Sequence, residues 1–156
     1  MLSDSSLQEI DRELAKYPPD HRQSALMAAL RIAQDEHNWL SQELIEHVAG
    51  VIGVAPIRAW EVATFYSMYN LKPVGKHTIN VCTNISCMLR GSQQIVDYLE
   101  QKLNIKRGET TGDGRFTLKE VECLAACAGA PMLQLDREYH ENLTPQRIDE
   151  ILDAAS

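Results

Sequence analysis

The chain has 156 residues, a hydrophobic fraction of 44%, a charged fraction of 24% and a formal net charge of −7. This length predicts one domain or two small ones, and the composition is that of a globular protein. The negative charge disfavours nucleic acids and anionic membranes as partners, because both repel an acidic protein. The N-terminus has no apolar signal-peptide core and the chain has no run of about 18 apolar residues, so we expect neither secretion nor direct membrane insertion.

The first half of the chain predicts four helices. Hydrophobic residues recur at helical spacing in each of them, and the expected N-terminal caps of the first three are Ser6, Asp20 and Ser41. Pro56 lies near the start of the fourth helix, where its fixed φ is favourable. The apolar face of each helix must be covered, so we predict a small helical bundle over residues 1–72.

The second half has a different hydrophobic period. The change falls at residues 71–75, which predicts a domain boundary there. Beyond it the pattern predicts a strand, a helix, two or three strands and a final helix that begins at Pro145, so residues 73–156 form an α/β domain and the whole chain is of the α+β class. The predicted elements before that final helix are a strand at 78–81, a helix at 92–103, and strands at 116–121, 131–135 and 138–140.

Four cysteines form two close pairs, Cys82-x4-Cys87 and Cys123-x3-Cys127, and the chain has no others. Each spacing lets one short loop direct two sulfurs to the same point. Two such loops give the ligand set of a [2Fe–2S] cluster, in which each of two irons completes its tetrahedron with two thiolates. The residues between the paired cysteines carry no charge, which suits a negatively charged cluster and leaves backbone N–H groups for the sulfurs.

Three other interpretations of the cysteines remain open from spacing alone. Structural zinc accepts four thiolates, although two intervening residues are more typical of its sites. Disulfides are disfavoured in a chain without a secretory signal, because the cytosol keeps thiols reduced. The cysteines could also be unrelated buried side chains, but two tight pairs and nothing else are then a coincidence.

The sequence predicts no catalytic site that acts alone. It has neither a G-x-G-x-x-G after a strand nor a P-loop, and Arg90 near the first cysteine pair is expected to be solvated. The histidines show no clustered ligand spacing, so we interpret each as a hydrogen-bonded or solvated side chain: His21, His37, His47, His77 and His140.

Three sequence runs carry a resemblance to a known family. They are V-C-T-N-I-S-C-M-L-R-G at 81–91, C-L-A-A-C-A-G-A-P at 123–131 and E-V-A-T-F-Y-S-M-Y at 61–69. They resemble the thioredoxin-like [2Fe–2S] ferredoxins and, within them, the E-type subunits of bacterial NADH–quinone oxidoreductase, respiratory complex I. The resemblance extends over residues 8–155. It implies a thioredoxin-like fold for the second domain and one cluster held by the four cysteines. Family members commonly have glycine where this chain has Ala125, and an alanine there is strained if φ is positive.

The resemblance also implies a function. The cluster would exchange single electrons with the FMN of a partner flavoprotein, the NADH-oxidising subunit of the F type, so FMN and NADH are expected on the partner. Residues 1–72 would dock to that subunit. The chain would be an enzyme only as part of the complex, beside other peripheral-arm subunits on the cytoplasmic side of the inner membrane. The alternatives are a diaphorase subunit of an NAD-linked hydrogenase or formate dehydrogenase, and a zinc-stabilised interaction module without redox function.

Overall fold

The computed structural model describes residues 1–155 and divides into two compact units. The first unit is Met1–Pro73 and the second begins at Val74. Each unit has a hydrophobic core of its own, as expected for segments with separate helical and strand periodicity.

The first unit contains four α-helices within the described residues. Every helix packs an apolar face against the core, which contains side chains with almost no exposed surface, such as Ile10, Leu30 and Ile45. The elements are α1 (Asp4–Leu14), a 3-10 turn (Pro19–Ala25), α2 (Leu26–His37), α3 (Gln42–Ile52) and α4 (Pro56–Phe65).

The predicted start of the third helix is confirmed, whereas those of the first two are wrong. Ser41 caps α3, since its hydroxyl accepts the N–H of Leu44 at 3.2 Å. The cap of α1 is Ser3 rather than Ser6, since the hydroxyl of Ser3 accepts the N–H of Ser6 at 3.3 Å. The backbone N–H of Ser3 also donates to the carboxylate of Glu36 at 3.0 Å.

Asp20, the predicted cap of the second helix, lies inside the 3-10 turn. The two prolines before it explain the difference, because Pro19 starts that turn one residue earlier than Asp20. The helix α2 then begins at Leu26 without a side-chain cap.

No single helix of the described residues is long and apolar enough to cross a membrane. The pair α3 and α4 meets the length and composition criteria only when the two helices are taken together, and the chain bends by 120° between them.

The second unit is a four-stranded mixed sheet with helices. The strand order is β2-β1-β3-β4; β1 pairs parallel with β2 and antiparallel with β3, and β3 and β4 form an antiparallel hairpin. Its core joins Ile79 and Leu118 of the sheet to Leu99 and Ile148 of two helices. The elements are β1 (His77–Cys82), α5 (Ile85–Leu89), α6 (Ser92–Leu103), β2 (Phe116–Val121), β3 (Leu133–Leu135), β4 (Glu138–His140) and α7 (Pro145–Ala154).

The predicted elements of this unit are present, with three differences. The strand β1 begins one residue before the predicted 78–81, and β3 begins at Leu133 rather than at residue 131. Proline at position 131 lacks the N–H that a strand needs, which explains the later start. The sequence pattern also misses α5, whose five residues are too few to show a helical period.

Candidate metal centre

The first cysteine pair is buried at the end of β1. Cys82 is the last residue of β1. Asn84 caps the N-terminus of α5, because its side-chain oxygen accepts the N–H of Ile85 at 2.7 Å. The single turn of α5 brings Cys87 back beside Cys82, and these two residues are only 2% and 4% exposed, respectively. Burial raises the pKa of the Cys87 thiol to about 11, and the hydrogen bond from Cys87 to Cys82 acts in the same direction. A backbone hydrogen bond from Met132 partly opposes this rise in the pKa.

The second pair lies on an exposed loop that follows β2. Cys123 comes two residues after the end of that strand, and Cys127 begins a short 3-10 turn, Cys127–Gly129. In the parallel pairing of β1 with β2, Cys82 is level with Val121. Parallel strands end at the same edge of a sheet, so both cysteine loops leave from one edge.

Direct contacts join the two loops at this edge. The thiol of Cys82 donates to the carbonyl oxygen of Glu122 at 3.4 Å, and the N–H of Thr83 donates to Val121 at 3.1 Å. Cys127 also lies near enough to Cys87 to influence its pKa through charge. The structure therefore places Cys127 near Cys87 and Cys82, although they lie up to 45 residues apart in the sequence, and Cys123 is on the same loop as Cys127.

An apolar shell surrounds the first cysteine pair. Cys82 and Cys87 pack with buried Ala130 and Met132, against which Leu124 and Ala126 are partly buried. No member of this cluster is charged. Such a shell lowers the local dielectric constant and excludes water, and both effects influence the reduction potential of a metal centre. Sequence spacing alone does not identify Met132, which the antiparallel pairing of β1 with β3 brings to the site.

Each of the two cysteine loops offers one pair of sulfurs. Within residues 1–155, no group of three or more His, Cys, Asp and Glu side chains is arranged to hold a metal ion. One tetrahedral zinc requires four donors around a single point. A [2Fe–2S] cluster instead needs two pairs of thiolates, one for each iron, and two pairs are what the two loops present.

Ala125 adopts a left-handed backbone conformation, so the expected strain of an alanine at this position is present. Its φ is 61°, in a region that favours glycine. In this conformation its N–H donates to the sulfur of Cys123 at 3.4 Å. The left-handed residue thus turns a backbone donor toward a cysteine, at a conformational cost of about 1–2 kcal/mol for a residue other than glycine.

We expect Ala125→Gly to stabilise the second unit. Relief of the left-handed strain exceeds the added chain entropy of glycine, so the free energy of unfolding should rise by about 0.5–1 kcal/mol. Denaturant titration followed by circular dichroism measures it. The matched control is Ala126→Gly, because Ala126 has a φ of −105° and should lose stability on the same change. Equal destabilisation by both substitutions would contradict the strain at position 125.

The expectation that every histidine is hydrogen-bonded or solvated does not hold throughout, because the buried Nε2 atoms of His47, His77 and His140 have no hydrogen-bond partner within the described residues. His77, at the opposite end of β1 from Cys82, contacts Asp136 through Nδ1 at 2.7 Å. Arg90 is exposed and ends α5, so it is solvated as predicted although it does not start a helix.

The two cysteine loops and the sheet that carries them are those of an electron-carrier family. The chain belongs to the thioredoxin-like [2Fe–2S] ferredoxins, whose pattern it matches over residues 10–156. Among its relatives, the E-type subunit of NADH-quinone oxidoreductase from Rickettsia bellii is 47% identical over 141 residues, which are 90% of this chain and 84% of the relative. A second E-type subunit of NADH-quinone oxidoreductase, from Rhizobium meliloti, is 45% identical over 94% of this chain and 86% of its own length.

A solved structure has the same fold over most of the chain. The NAD+-reducing [NiFe]-hydrogenase in its air-oxidised state superposes with a TM-score of 0.74 at 19% identity, over 89% of this chain and 24% of the hydrogenase chain. At this identity the similarity concerns the fold alone. The predicted α+β class, with a helical N-terminal part and a thioredoxin-like ferredoxin domain, is therefore confirmed, and so is the resemblance to the E-type subunits.

Proposed function

We propose that Cys82, Cys87, Cys123 and Cys127 hold one [2Fe–2S] cluster. The observation that carries the proposal is that both cysteine loops follow the carboxyl ends of two paired parallel strands, with Cys127 close to Cys87. When bound, such a cluster accepts and returns one electron at a time. The chain contributes the ligands, the apolar shell and the N–H donors of Met132 and Ala125.

We further propose that the electrons are exchanged with the FMN of an NADH-oxidising partner subunit in NADH–quinone oxidoreductase. Identities near 46% to the E-type subunits of that complex, over most of the chain, support this assignment. In this role the chain is not catalytic alone, and it works on the cytoplasmic side of the inner membrane with the other peripheral-arm subunits. FMN and NADH bind to the partner.

The exposed side of α5 suits the approach of such a partner. Ile85, Met88 and Leu89 are 63%, 54% and 76% exposed and lie on the same short helix as Cys87. Electron exchange needs a short path, and an uncharged apolar face loses its water readily when a protein docks on it. The exposed position of Cys123 and Cys127 leaves the second thiolate pair near the surface as well.

We expect the purified chain to be coloured and to contain about two irons and two acid-labile sulfides, as an all-cysteine [2Fe–2S] cluster requires. Iron and sulfide analysis, visible absorbance and an EPR signal after reduction measure this. One equivalent of zinc with no visible absorbance would contradict the proposal and favour a zinc-stabilised module.

The electron partner is tested separately. NADH alone should leave the cluster of this chain oxidised, and NADH with the flavoprotein subunit should reduce it, as read by the EPR signal. If a hydrogenase or formate dehydrogenase flavoprotein supports faster reduction than the quinone-reductase flavoprotein does, the chain serves one of those enzymes.

A further inference from the structure

Glu141 is an acidic residue that follows directly after β4. In the antiparallel register, Val81 lies opposite Leu133 and Leu133 lies opposite His140. Met132 and Glu141 lie one residue beyond this register, outside the strands, and the N–H of Cys82 donates to the carbonyl oxygen of Met132 at 3.2 Å. Adjacent strands are about 4.8 Å apart, so this register, continued by one residue, places the backbones of Cys82 and Glu141 roughly 10 Å apart.

A second observation places the carboxylate of Glu141 beside the exposed cysteine loop. A Cβ added to Gly129 would overlap Oε2 of Glu141, so this oxygen occupies the space above the glycine Cα. The N–H of Asn142 also donates to the carbonyl oxygen of Gly129 at 2.7 Å. Gly129 is two residues from Cys127, and two residues span at most about 7 Å. The carboxylate of Glu141 therefore lies beside the second cysteine loop.

The charge of Glu141 is not neutralised by a neighbour. Within residues 1–155 its carboxylate has neither a hydrogen-bond partner nor an ion-pair partner. Glu120, on the strand before the second loop, differs in this respect because Arg107 pairs with it at 2.8 Å. Two other charged side chains near the cysteines in sequence, Glu122 and Arg90, are exposed, as Glu141 is.

We propose that Glu141 tunes the cluster toward lower potential through its charge. The inference rests on the proposed [2Fe–2S] ligand set. Reduction adds one negative charge to the four-thiolate group, and a carboxylate beside the second cysteine loop opposes that addition. Because Glu141 is exposed, solvent and salt screen part of this interaction. Gly129 makes this position possible, since any larger residue there would displace the carboxylate.

The test is a redox titration of the holoprotein, followed by EPR, in the wild type, Glu141→Gln and Glu141→Lys. We expect the glutamine variant to favour the reduced cluster about threefold, which is ~30 mV at 59 mV per tenfold change for one electron. The lysine variant reverses the charge and should favour the reduced cluster about tenfold, which is ~59 mV. Both shifts should shrink when the ionic strength is raised to about 1 M, where the Debye length is only ~3 Å.

The matched control is Glu138→Gln. Glu138 lies on β4 opposite Leu135, three residues from Glu141 and on the other face of the sheet, so the same change of charge should leave the midpoint nearly unchanged. Equal midpoints in wild type and both Glu141 variants overturn the inference while the cluster assignment stands. A shift that high salt does not reduce, or loss of iron from the isosteric glutamine variant, would assign Glu141 to loop structure and also overturn it. Absence of iron from the wild type would instead overturn the ligand set.

Discussion

Cys87→Ala should leave the chain with less than half its iron and with a much weaker second unit. The substitution removes one of the four proposed thiolates, so one iron loses a ligand and the cluster is lost or becomes labile. A cofactor present at 100 to 1,000 times its dissociation constant stabilises the folded state by about 3–4 kcal/mol, and this contribution disappears with it. Iron analysis, the visible spectrum and denaturant titration together measure the effect.

The neighbouring residue provides a matched control. Met88 follows Cys87 on α5, but its side chain is 54% exposed, so Met88→Ala should retain both the spectrum and the stability. Cys87→Ser should bind a weakened cluster, because oxygen is a poorer ligand than sulfur for these irons. The same logic applies to Cys82, Cys123 and Cys127. Any of the four alanine variants that keeps full iron content and an unchanged spectrum identifies a cysteine that is not a ligand.

A comparison of apo and holo forms separates ligation from packing. Cys87 is almost completely buried, so its replacement by alanine also leaves a small void. The stability lost through the void should be the same in the apo and holo forms. The stability lost with the missing ligand affects the holoprotein alone. We therefore expect the stability difference between wild type and Cys87→Ala to be several-fold larger with the cluster than without it. Equal differences would assign Cys87 to the core and contradict its role as a ligand.

Local sequence signals are sufficient for most secondary structure but not for the meeting of the cysteine loops. The helical stripes, the cap at Ser41 and the strand at 116–121 are set by residues close in sequence. In contrast, the parallel pairing of β1 with β2 joins segments almost 40 residues apart, and no local pattern specifies it. The spacing identifies the cysteines, and only the sheet register explains why the pairs share one edge.

The same limit applies to the residues around the site. Met132 is brought to Cys82 next to the pairing of β1 with β3, and Glu141 is brought to Gly129 next to the pairing of β3 with β4, so neither is recognisable from its own sequence context. Ala125 is the exception. A small non-glycine residue at a position where the family has glycine gives a specific expectation, and a φ of 61° agrees with it. A departure from a family pattern is thus informative about backbone conformation.

The C-terminal end of α4 in the helical unit presents a rigid apolar surface. Phe65 is 79% exposed and its ring lies edge-on to that of Tyr66, with centroids 5.0 Å apart. The following segment is fixed, because the hydroxyl of buried Tyr69 donates to the carbonyl oxygen of Met27 at 2.9 Å and Gln34 donates to that of Met68 at 3.0 Å. An aromatic side chain held in place before binding loses little entropy when a partner covers it, which is the property of an interface anchor.

Phe65→Ala should therefore weaken binding to the flavoprotein subunit by at least about 30-fold, since truncation of an aromatic anchor costs roughly 2 kcal/mol or more. Stability should hardly change, because so exposed a ring contributes little to the core. Affinity measured by calorimetry or surface plasmon resonance with the holoprotein tests this. Tyr17→Ala is the control within the same unit, an aromatic that is 38% exposed, and we expect it to change affinity less than about threefold. If Leu89→Ala abolishes binding while Phe65→Ala does not, docking belongs to the cluster-bearing unit and the proposed role of residues 1–72 is wrong.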